Sequence, residues 1–125
     1  MELKPFNEAA VHESVSIVVP AYNEAARLSA SLAEILVFAR TCPQIAEIIV
    51  VDDGSSDETA NVFSRMKAGL TIDGAPLMSL IRHIHNCGKG AAVRTGFQAA
   101  RGEVVLFSDA DLSDVHHYNM AVLLE

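Results

Sequence analysis

The sequence has few cysteines, no tryptophan and no apolar run long enough to cross a membrane. Its two cysteines, Cys42 and Cys87, are too few for a disulfide framework and lack the spacing of a zinc site. No apolar stretch approaches about 18 residues, and no basic start followed by an apolar stretch indicates a signal peptide. These absences favour a cytoplasmic protein with reduced thiols.

Basic residues are also scarce, and their distribution is uneven. The 125 residues carry a net charge of -7, which argues against a nucleic-acid partner. Residues 74–102 nevertheless contain no Asp or Glu and hold four of the nine basic residues: Arg82, Lys89, Arg94 and Arg101. A local cationic patch on an acidic protein suits a small molecule that carries phosphate.

Apolar residues make up 50% of the chain, which excludes intrinsic disorder and is enough for one domain over residues 1–125. Short apolar runs without polar alternation predict strands at 16–19, 48–51, 77–82 and 104–107. Helices are predicted between them, one from Glu24 with Asn23 as N-cap, one opened by a Ser55/Glu58 capping box, and one opened by Gly88-Lys89-Gly90. This alternation is typical of an α/β fold with a parallel sheet of about four strands, covered on both faces.

The two ends of the chain give weaker signals. Residues 1–14 are polar and mixed and are interpreted as a loose lead-in. A last helix is predicted from about Val115, and the chain stops inside its apolar pattern at Glu125. We therefore expect the domain to be incomplete at its C-terminus.

Polar clusters follow all four predicted strands. Because ligands bind beyond the carboxyl ends of strands in open α/β sheets, we expect these clusters to meet at one edge, called here the carboxyl edge of the sheet. The clusters are Pro20-Ala21-Tyr22-Asn23-Glu24, Asp52-Asp53-Gly54-Ser55-Ser56-Asp57, His83 to Lys89, and Asp109-Ala110-Asp111.

Asp109 and Asp111 are the strongest candidates for a metal site. Two carboxylates two residues apart after a buried strand can face one hard cation, and Mg²⁺ or Mn²⁺ takes carboxylate, phosphate and water oxygens. Asp52 and Asp53 are interpreted either as a second metal pair or as hydrogen-bond acceptors for a base and ribose. Gly54 permits a tight turn after them.

The Gly88-Lys89-Gly90 segment predicts a backbone that can approach an anion at a helix N-terminus, with Lys89 or Arg94 neutralising a phosphate. It is neither a Walker A motif nor a dinucleotide fingerprint, because Val93 occupies the place of the last glycine. The histidines lack metal-ligand spacing with the cysteines, and strand-end roles are expected for His83 and His85.

Four ordered motifs carry a family resemblance over about residues 14–125. They are Val18-Val19-Pro20-Ala21-Tyr22-Asn23-Glu24, Val50-Val51-Asp52-Asp53-Gly54-Ser55-Ser56-Asp57, Asn86-Cys87-Gly88-Lys89-Gly90-Ala91-Ala92 and Ser108-Asp109-Ala110-Asp111-Leu112. The chain resembles the family 2 glycosyltransferases, and among them the dolichyl- or polyprenyl-phosphate sugar synthases. The resemblance implies a glycosyltransferase-A fold, a three-layer sandwich.

The resemblance also implies roles for individual residues. Positions that cradle the nucleotide of a nucleotide-sugar donor are matched by Pro20, Tyr22, Glu24, Val51 and Asp53, and their neighbours Ala21, Asn23, Asp52, Gly54 and Lys89 complete the expected binding set. Asp109 and Asp111 match a catalytic, metal-binding D-x-D, with Ala110 between them against the donor.

The implied reaction is inverting transfer of glucose or mannose from UDP or GDP to a polyprenyl phosphate at the cytosolic face of a membrane. Ser113 follows Asp-Ala-Asp-Leu where mannose synthases often have Gln, which favours the glucosyl type. Formation of a homo-oligomer is left open.

Three alternatives are weighed against this interpretation. A sugar nucleotidyltransferase needs a glycine-rich loop after the first strand, where this chain has Pro20-Ala21-Tyr22-Asn23-Glu24. A receiver-like signalling domain places its acidic pair there, and this chain does not. A non-catalytic fragment that binds a nucleotide sugar is compatible with the short length.

Overall fold

The computed structural model describes residues 2–5, 14–70, 75–108 and 120–124. Strands and helices alternate from residue 15 to residue 108. In chain order they are β1 (Glu2–Pro5), β2 (Val15–Ala21), α1 (Leu28–Ala39), β3 (Ile45–Asp52), α2 (Thr59–Gly69), β4 (Leu77–Arg82), α3 (Lys89–Ala99), β5 (Val104–Ser108) and β6 (Met120–Leu124).

The strands form one six-stranded sheet in the order β1-β6-β5-β2-β3-β4. β5, β2, β3 and β4 run parallel to one another, which confirms the predicted parallel sheet of four strands. β6 lies antiparallel to β5, and β1 lies antiparallel to β6. The sheet is therefore mixed. Its parallel strands reach from the centre to the edge formed by β4, and its antiparallel strands β6 and β1 form the other side.

Two predictions at the ends of the chain were wrong. Residues 120–124 form a strand rather than a helix, and Glu2–Pro5 pairs with that strand instead of belonging to a loose lead-in. A short apolar run does not distinguish a buried helix from a strand by periodicity. Pairing of β6 with β5 satisfies backbone groups that would otherwise stay open along β5.

Helices cover both faces of the sheet. The inward side chains of α1 and α2, including Leu32, Ile35 and Phe63, pack with Ile17 and Val19 of β2 in one core cluster. On the other face, α3 packs on the central strands, where Ala92 joins Val18, Ile49, Val51 and Val105. The alternation of side chains along β2 thus divides the core in two, and the predicted three-layer α/β architecture is confirmed.

α3 approaches β2 closely at Gly96. A Cβ atom added to Gly96 would lie 2.3 Å from a methyl carbon of Val18, well inside van der Waals contact. The absence of a side chain at this position therefore lets the helix sit directly on the sheet.

α1 begins later than predicted. It starts at Leu28 rather than Glu24, and Asn23 is not its N-cap. The Glu24 carbonyl accepts hydrogen bonds from the amides of Arg27 and Leu28 at 3.0 and 2.8 Å, so a turn occupies the intervening residues. Asn23 itself has a φ of 52°, a left-handed conformation that Asn tolerates better than most residues.

The predicted Ser55/Glu58 capping box does not form. α2 begins at Thr59, and Glu58 makes no side-chain cap. Instead, Asp57 Oδ1 accepts a hydrogen bond from the Thr59 amide at 2.9 Å. The Ser55 hydroxyl is engaged elsewhere, by the amide of Asn23 at 2.9 Å, so tertiary contact outweighs the local capping pattern.

The opposite edge of the sheet, where the parallel strands begin, has its own polar network. Glu47 Oε2 accepts hydrogen bonds from the Ser16 hydroxyl at 2.5 Å and the Arg101 amide at 2.7 Å. Arg101 therefore lies far from the carboxyl edge, and only part of the predicted cationic window reaches that edge. Within the described part of the chain, no helix is long and apolar enough to cross a membrane.

Candidate functional site

The carboxyl edge brings together three of the four predicted clusters. β2, β3 and β4 end side by side, with Ala21 paired to Asp52 and Asp52 paired to Arg82. α3 begins at Lys89, just beyond the loop that follows β4. The predicted site residues Asp109, Ala110 and Asp111 lie outside the described residues and directly follow the last residue of β5, Ser108.

The predicted binding residues differ in exposure. Tyr22, Asn23 and Lys89 are exposed and Gly54 is half-buried, whereas the others are buried. The buried ones are Pro20, Ala21, Glu24, Val51, Asp52 and Asp53. The surface offered to a ligand thus consists of few side chains, and the buried residues beneath them include the carboxylates of Glu24, Asp52 and Asp53.

The loops after β2 and β3 are joined through Asn23. Its backbone amide donates to the Ser55 hydroxyl, and its side-chain Oδ1 accepts from the Ser56 amide, both at 2.9 Å. Each loop therefore supplies one donor and one acceptor to the other. This exchange explains why Asn23 takes its left-handed conformation rather than capping a helix.

Asp57 adds a second connection between the same loops. Its Oδ2 accepts from the Ala25 amide at 3.1 Å, and its Oδ1 accepts from Thr59. The Thr59 hydroxyl in turn accepts from the Glu24 amide at 3.0 Å. Desolvation alone would raise the pKa of the Asp57 carboxyl, but the hydrogen bonds from Thr59 and Ala25 outweigh it, so the pKa lies below its ordinary value.

Glu24 and Asp52 are both engaged within the protein. Glu24 Oε1 accepts two hydrogen bonds from the Arg27 guanidinium, at 2.6 and 3.0 Å. Asp52 is fully buried, and its oxygens accept from the Ser55 amide at 3.0 Å and from Arg82 Nε at 3.2 Å. These partners fix the orientation of both carboxylates.

Among the residues of the edge that the structure describes, Asp53 has the most hydrogen-bonded side chain. Its Oδ1 accepts from the Cys87 amide at 2.9 Å and lies 2.7 Å from His83 Nδ1. Its Oδ2 accepts from the Gly88 amide at 2.8 Å and from Asn86 Nδ2 at 3.1 Å. Burial would raise the pKa of this carboxyl, but the Cys87, His83 and Gly88 hydrogen bonds together hold it below its ordinary value.

The imidazole of His83 extends this network into α3. Its second nitrogen, Nε2, lies 2.8 Å from the Thr95 hydroxyl, while Nδ1 faces Asp53. With Nδ1 carrying a proton for Asp53, a neutral ring accepts from Thr95. The strand-end role predicted for His83 is confirmed, whereas nothing in the sequence pattern singles out Thr95.

Gly54 lets the end of β3 contact the loop after β4. Its φ is 72°, and an added Cβ would lie 2.5 Å from backbone atoms of His85 and Asn86. A side chain at this position would therefore displace the loop that leads to Gly88 and α3. The tight turn predicted at Gly54 is confirmed.

Asp53, His83 and Cys87 offer three ligand atoms within 4.8 Å of one another. This donor set does not fit Mg²⁺ or Mn²⁺, which prefer oxygen ligands, and a thiolate with an imidazole is more typical of zinc. Both ring nitrogens of His83 and both oxygens of Asp53 are also engaged in hydrogen bonds. Carboxylate oxygens are the ligands that such cations prefer, so the cation site predicted at Asp109 and Asp111 stays a prediction on residues outside the described part of the chain.

Two basic residues flank the loop between β4 and α3 at this edge, Arg82 and Lys89. Arg82 is the last residue of β4, and Lys89 is the first residue of α3. Gly88, with a φ of 97°, turns the chain into the helix while its amide points to Asp53. A helix N-terminus beside two basic side chains attracts anions such as phosphate.

Comparison with known proteins gives a consistent result. The sequence model described as "Glycosyl transferase family 2" matches residues 16–118. A dolichyl-phosphate beta-glucosyltransferase from Mus musculus is 39% identical over 104 residues, covering 79% of this chain and 31% of that protein. An undecaprenyl-phosphate 4-deoxy-4-formamido-L-arabinose transferase from Pseudomonas fluorescens is 39% identical over 100 residues, covering 80% and 28%.

Solved structures show the same architecture. A mannosyltransferase from Pyrobaculum calidifontis, in complex with GDP-Man and Mn²⁺, superposes with a TM-score of 0.69 at 29% identity, covering 82% of this chain and 28% of that one. A glucosyl-3-phosphoglycerate synthase from Mycobacterium tuberculosis, with Mn²⁺ and UDP, gives a TM-score of 0.60 at 27% identity, covering 84% and 35%. The chain thus spans about a third of the length of the proteins it matches.

Proposed function

The chain belongs to glycosyl transferase family 2, and from that premise we propose that its carboxyl edge binds the nucleotide diphosphate of a sugar donor. The single observation that carries the proposal is the junction of the first three motifs at one edge. There the loops after β2 and β3 are locked together through Asn23, beside the N-terminus of α3. We assign donor contacts to the members of the set that are not buried, Tyr22, Asn23, Gly54 and Lys89.

The proposed reaction is inverting transfer of one hexose to a polyprenyl or dolichyl phosphate. An acceptor phosphate oxygen forms a bond to the anomeric carbon of the sugar as the bond to the nucleoside diphosphate breaks. The attacking oxygen is already anionic, so little general-base assistance is needed. Two relatives named for dolichyl-phosphate and undecaprenyl-phosphate support this acceptor class. We propose that the reaction takes place at the cytosolic face of a membrane.

Asp109 and Asp111 would hold Mg²⁺ or Mn²⁺, with Ala110 facing the donor between them. When bound, such a cation neutralises negative charge that develops on the leaving diphosphate. Support comes from the two structural neighbours that contain Mn²⁺. The positive N-terminus of α3 and the Lys89 ammonium group add electrostatic attraction for the same phosphates.

A second candidate is a domain that binds a nucleotide sugar without transferring it. The contacts assigned above to Tyr22, Asn23 and Lys89 are all contacts to the donor, and none of them by itself requires transfer. Both candidates share the donor site and differ in whether sugar reaches an acceptor.

The test is calorimetric titration of the chain with UDP and with GDP, each with and without Mn²⁺. We expect one nucleotide to bind more tightly with Mn²⁺, and we expect Asp111→Ala to remove that metal dependence. The matched control is Glu58→Ala, which removes an exposed carboxylate of the same region outside the D-x-D motif. Metal-dependent binding that is unchanged in Asp111→Ala would contradict the assignment of the cation to this motif.

Transfer is tested separately with UDP-glucose and GDP-mannose, using a polyprenyl phosphate in detergent as the acceptor. Formation of the glycosylated lipid would support the transferase, whereas tight donor binding without product would favour the non-catalytic domain.

A further inference from the structure

We propose that His83 and Thr95 are positioning residues for the nucleotide site. In this proposal they hold the Asp53 carboxylate, and through it the amides of Cys87 and Gly88, so that α3 presents Lys89 to the phosphates. The inference rests on the proposed donor-binding function and assigns that site two residues that touch no ligand.

The first support is a continuous hydrogen-bonded path across three elements. Asp53 follows β3, His83 follows β4, and Thr95 lies within α3. The two contacts of His83 measure 2.7 Å to Asp53 and 2.8 Å to Thr95. The side chain of His83 is only 15% exposed. Little water can therefore compete for its hydrogen bonds to Asp53 and Thr95.

The second support is the saturation of Asp53. An ionised carboxylate offers about four lone-pair sites, and four donors from the protein already occupy them: His83, Asn86, Cys87 and Gly88. Asp53 is also 2% exposed. In this proposal Asp53 therefore also has an indirect role, which acts through the loop that these donors belong to.

The third support is the place of the two captured amides. Cys87 and Gly88 immediately precede Lys89, the first residue of α3. A shift of this loop would move both the Lys89 side chain and the first turn of the helix. Thr95 lies on the same helix and faces the His83 ring, so the path ties the loop to the helix that follows it.

Thr95→Val tests the path with little change in side-chain volume, and Thr95→Ser restores the hydroxyl. His85→Ala is the matched control, because His85 lies in the same loop and is exposed. One readout is hydrogen exchange of the Cys87 and Gly88 amides by NMR without ligand. The other is calorimetric affinity for UDP and GDP with Mn²⁺, measured well below the melting temperature of each variant.

We expect Thr95→Val to speed exchange of both amides and to weaken nucleotide binding, each by about fivefold, the effect typical of one hydrogen bond. Thr95→Ser should return both values close to those of the unmodified chain, and His85→Ala should change neither. A purely structural role would lower the melting temperature without altering affinity under folded conditions.

Unchanged amide exchange in Thr95→Val would overturn the proposed path. Faster exchange with unchanged affinity would overturn the positioning role while leaving donor binding intact. If the unmodified chain binds neither nucleotide, the proposed function fails, and the exchange measurement still decides whether His83 and Thr95 hold the loop.

Discussion

Among single residues, the buried carboxylates show how the carboxyl edge is preorganised. Asp52 and Asp53 are adjacent in the sequence, yet each has its own set of donors. A shared cation between them is disfavoured, because N–H groups already face their oxygens. The alternative, in which this pair accepts hydrogen bonds from a base and ribose, stays a prediction, because the donors observed here are groups of the protein.

The lowered pKa of Asp53 predicts a specific dependence of stability on acid. The unfolded carboxyl titrates near 3.8, and the folded carboxyl titrates lower. Its stabilising contribution is therefore complete above the unfolded pKa and is lost as the pH falls through the folded pKa. We expect Asp53→Asn to lower the free energy of unfolding near neutral pH by about 1–3 kcal/mol, and to flatten the loss of stability below about pH 4.

Thermal unfolding followed by circular dichroism from neutral to acidic pH measures both effects. Glu58→Gln is the control, because it removes an exposed carboxylate from the same region. If the stability of Asp53→Asn falls as steeply with acid as that of the unmodified chain, groups other than Asp53 dominate the acid transition.

Residue types alone revealed part of this site. Asp53 and Gly54 stood out because both follow a predicted strand, whereas Thr95 did not, since one threonine inside an amphipathic helix carries no local signal. Its role depends on how α3 lies on the sheet. Packing of that kind is decided by contacts between residues that are distant in the sequence.

At the level of elements, local patterns predicted the strands better than the helix starts. β4 has the predicted bounds, Leu77–Arg82, because its apolar run is bordered by turn residues. α1 starts four residues later than predicted, since Asn23 and Glu24 are engaged by the neighbouring loop. Residues 120–124 pair with β5 as a strand, an outcome that their uniformly apolar pattern left ambiguous.

The contact between α3 and β2 gives the next prediction. Gly96→Ala would place a carbon 2.3 Å from a methyl carbon of Val18, and overpacking of this kind destabilises by about 1–3 kcal/mol. The control Gly90→Ala lies in the same helix with nothing within 4 Å of its added carbon. We expect urea denaturation to show a clear loss in the free energy of unfolding for Gly96→Ala. Gly90→Ala should show no such loss, since alanine has a higher helix propensity than glycine.

Equal stability of the two variants would mean that the helix can move off the sheet at little cost. Val18→Ala combined with Gly96→Ala provides a further check, because removing the opposing methyl groups should make the double variant more stable than the sum of the single losses predicts.

For the whole molecule, donor binding and folding are linked. A ligand that binds only the folded chain stabilises it by about 2.7 kcal/mol at a hundredfold excess over its dissociation constant. For a domain of this size that corresponds to a rise in melting temperature of about 10 °C. We expect this rise with UDP or with GDP in the presence of Mn²⁺, and a smaller rise with the corresponding nucleoside, which lacks the phosphates.

Differential scanning fluorimetry measures the shift, with Lys89→Ala as the comparison. Loss of the ammonium group should reduce the shift for the nucleoside diphosphate and leave that for the nucleoside unchanged. Equal shifts for the nucleoside and its diphosphate would mean that the base and ribose supply the affinity, and that the phosphates gain nothing from the N-terminus of α3.

The reciprocal bonds between Asn23 and Ser55 and Ser56 bear on how this molecule can be redesigned. The two loops complete each other's backbone hydrogen bonds, so neither keeps its shape when the other is replaced. A chimera that takes its first loop from a relative must therefore take the second from the same relative. Insertions or deletions in either segment would need a compensating change some thirty positions away, which makes the two segments a single unit for recombination.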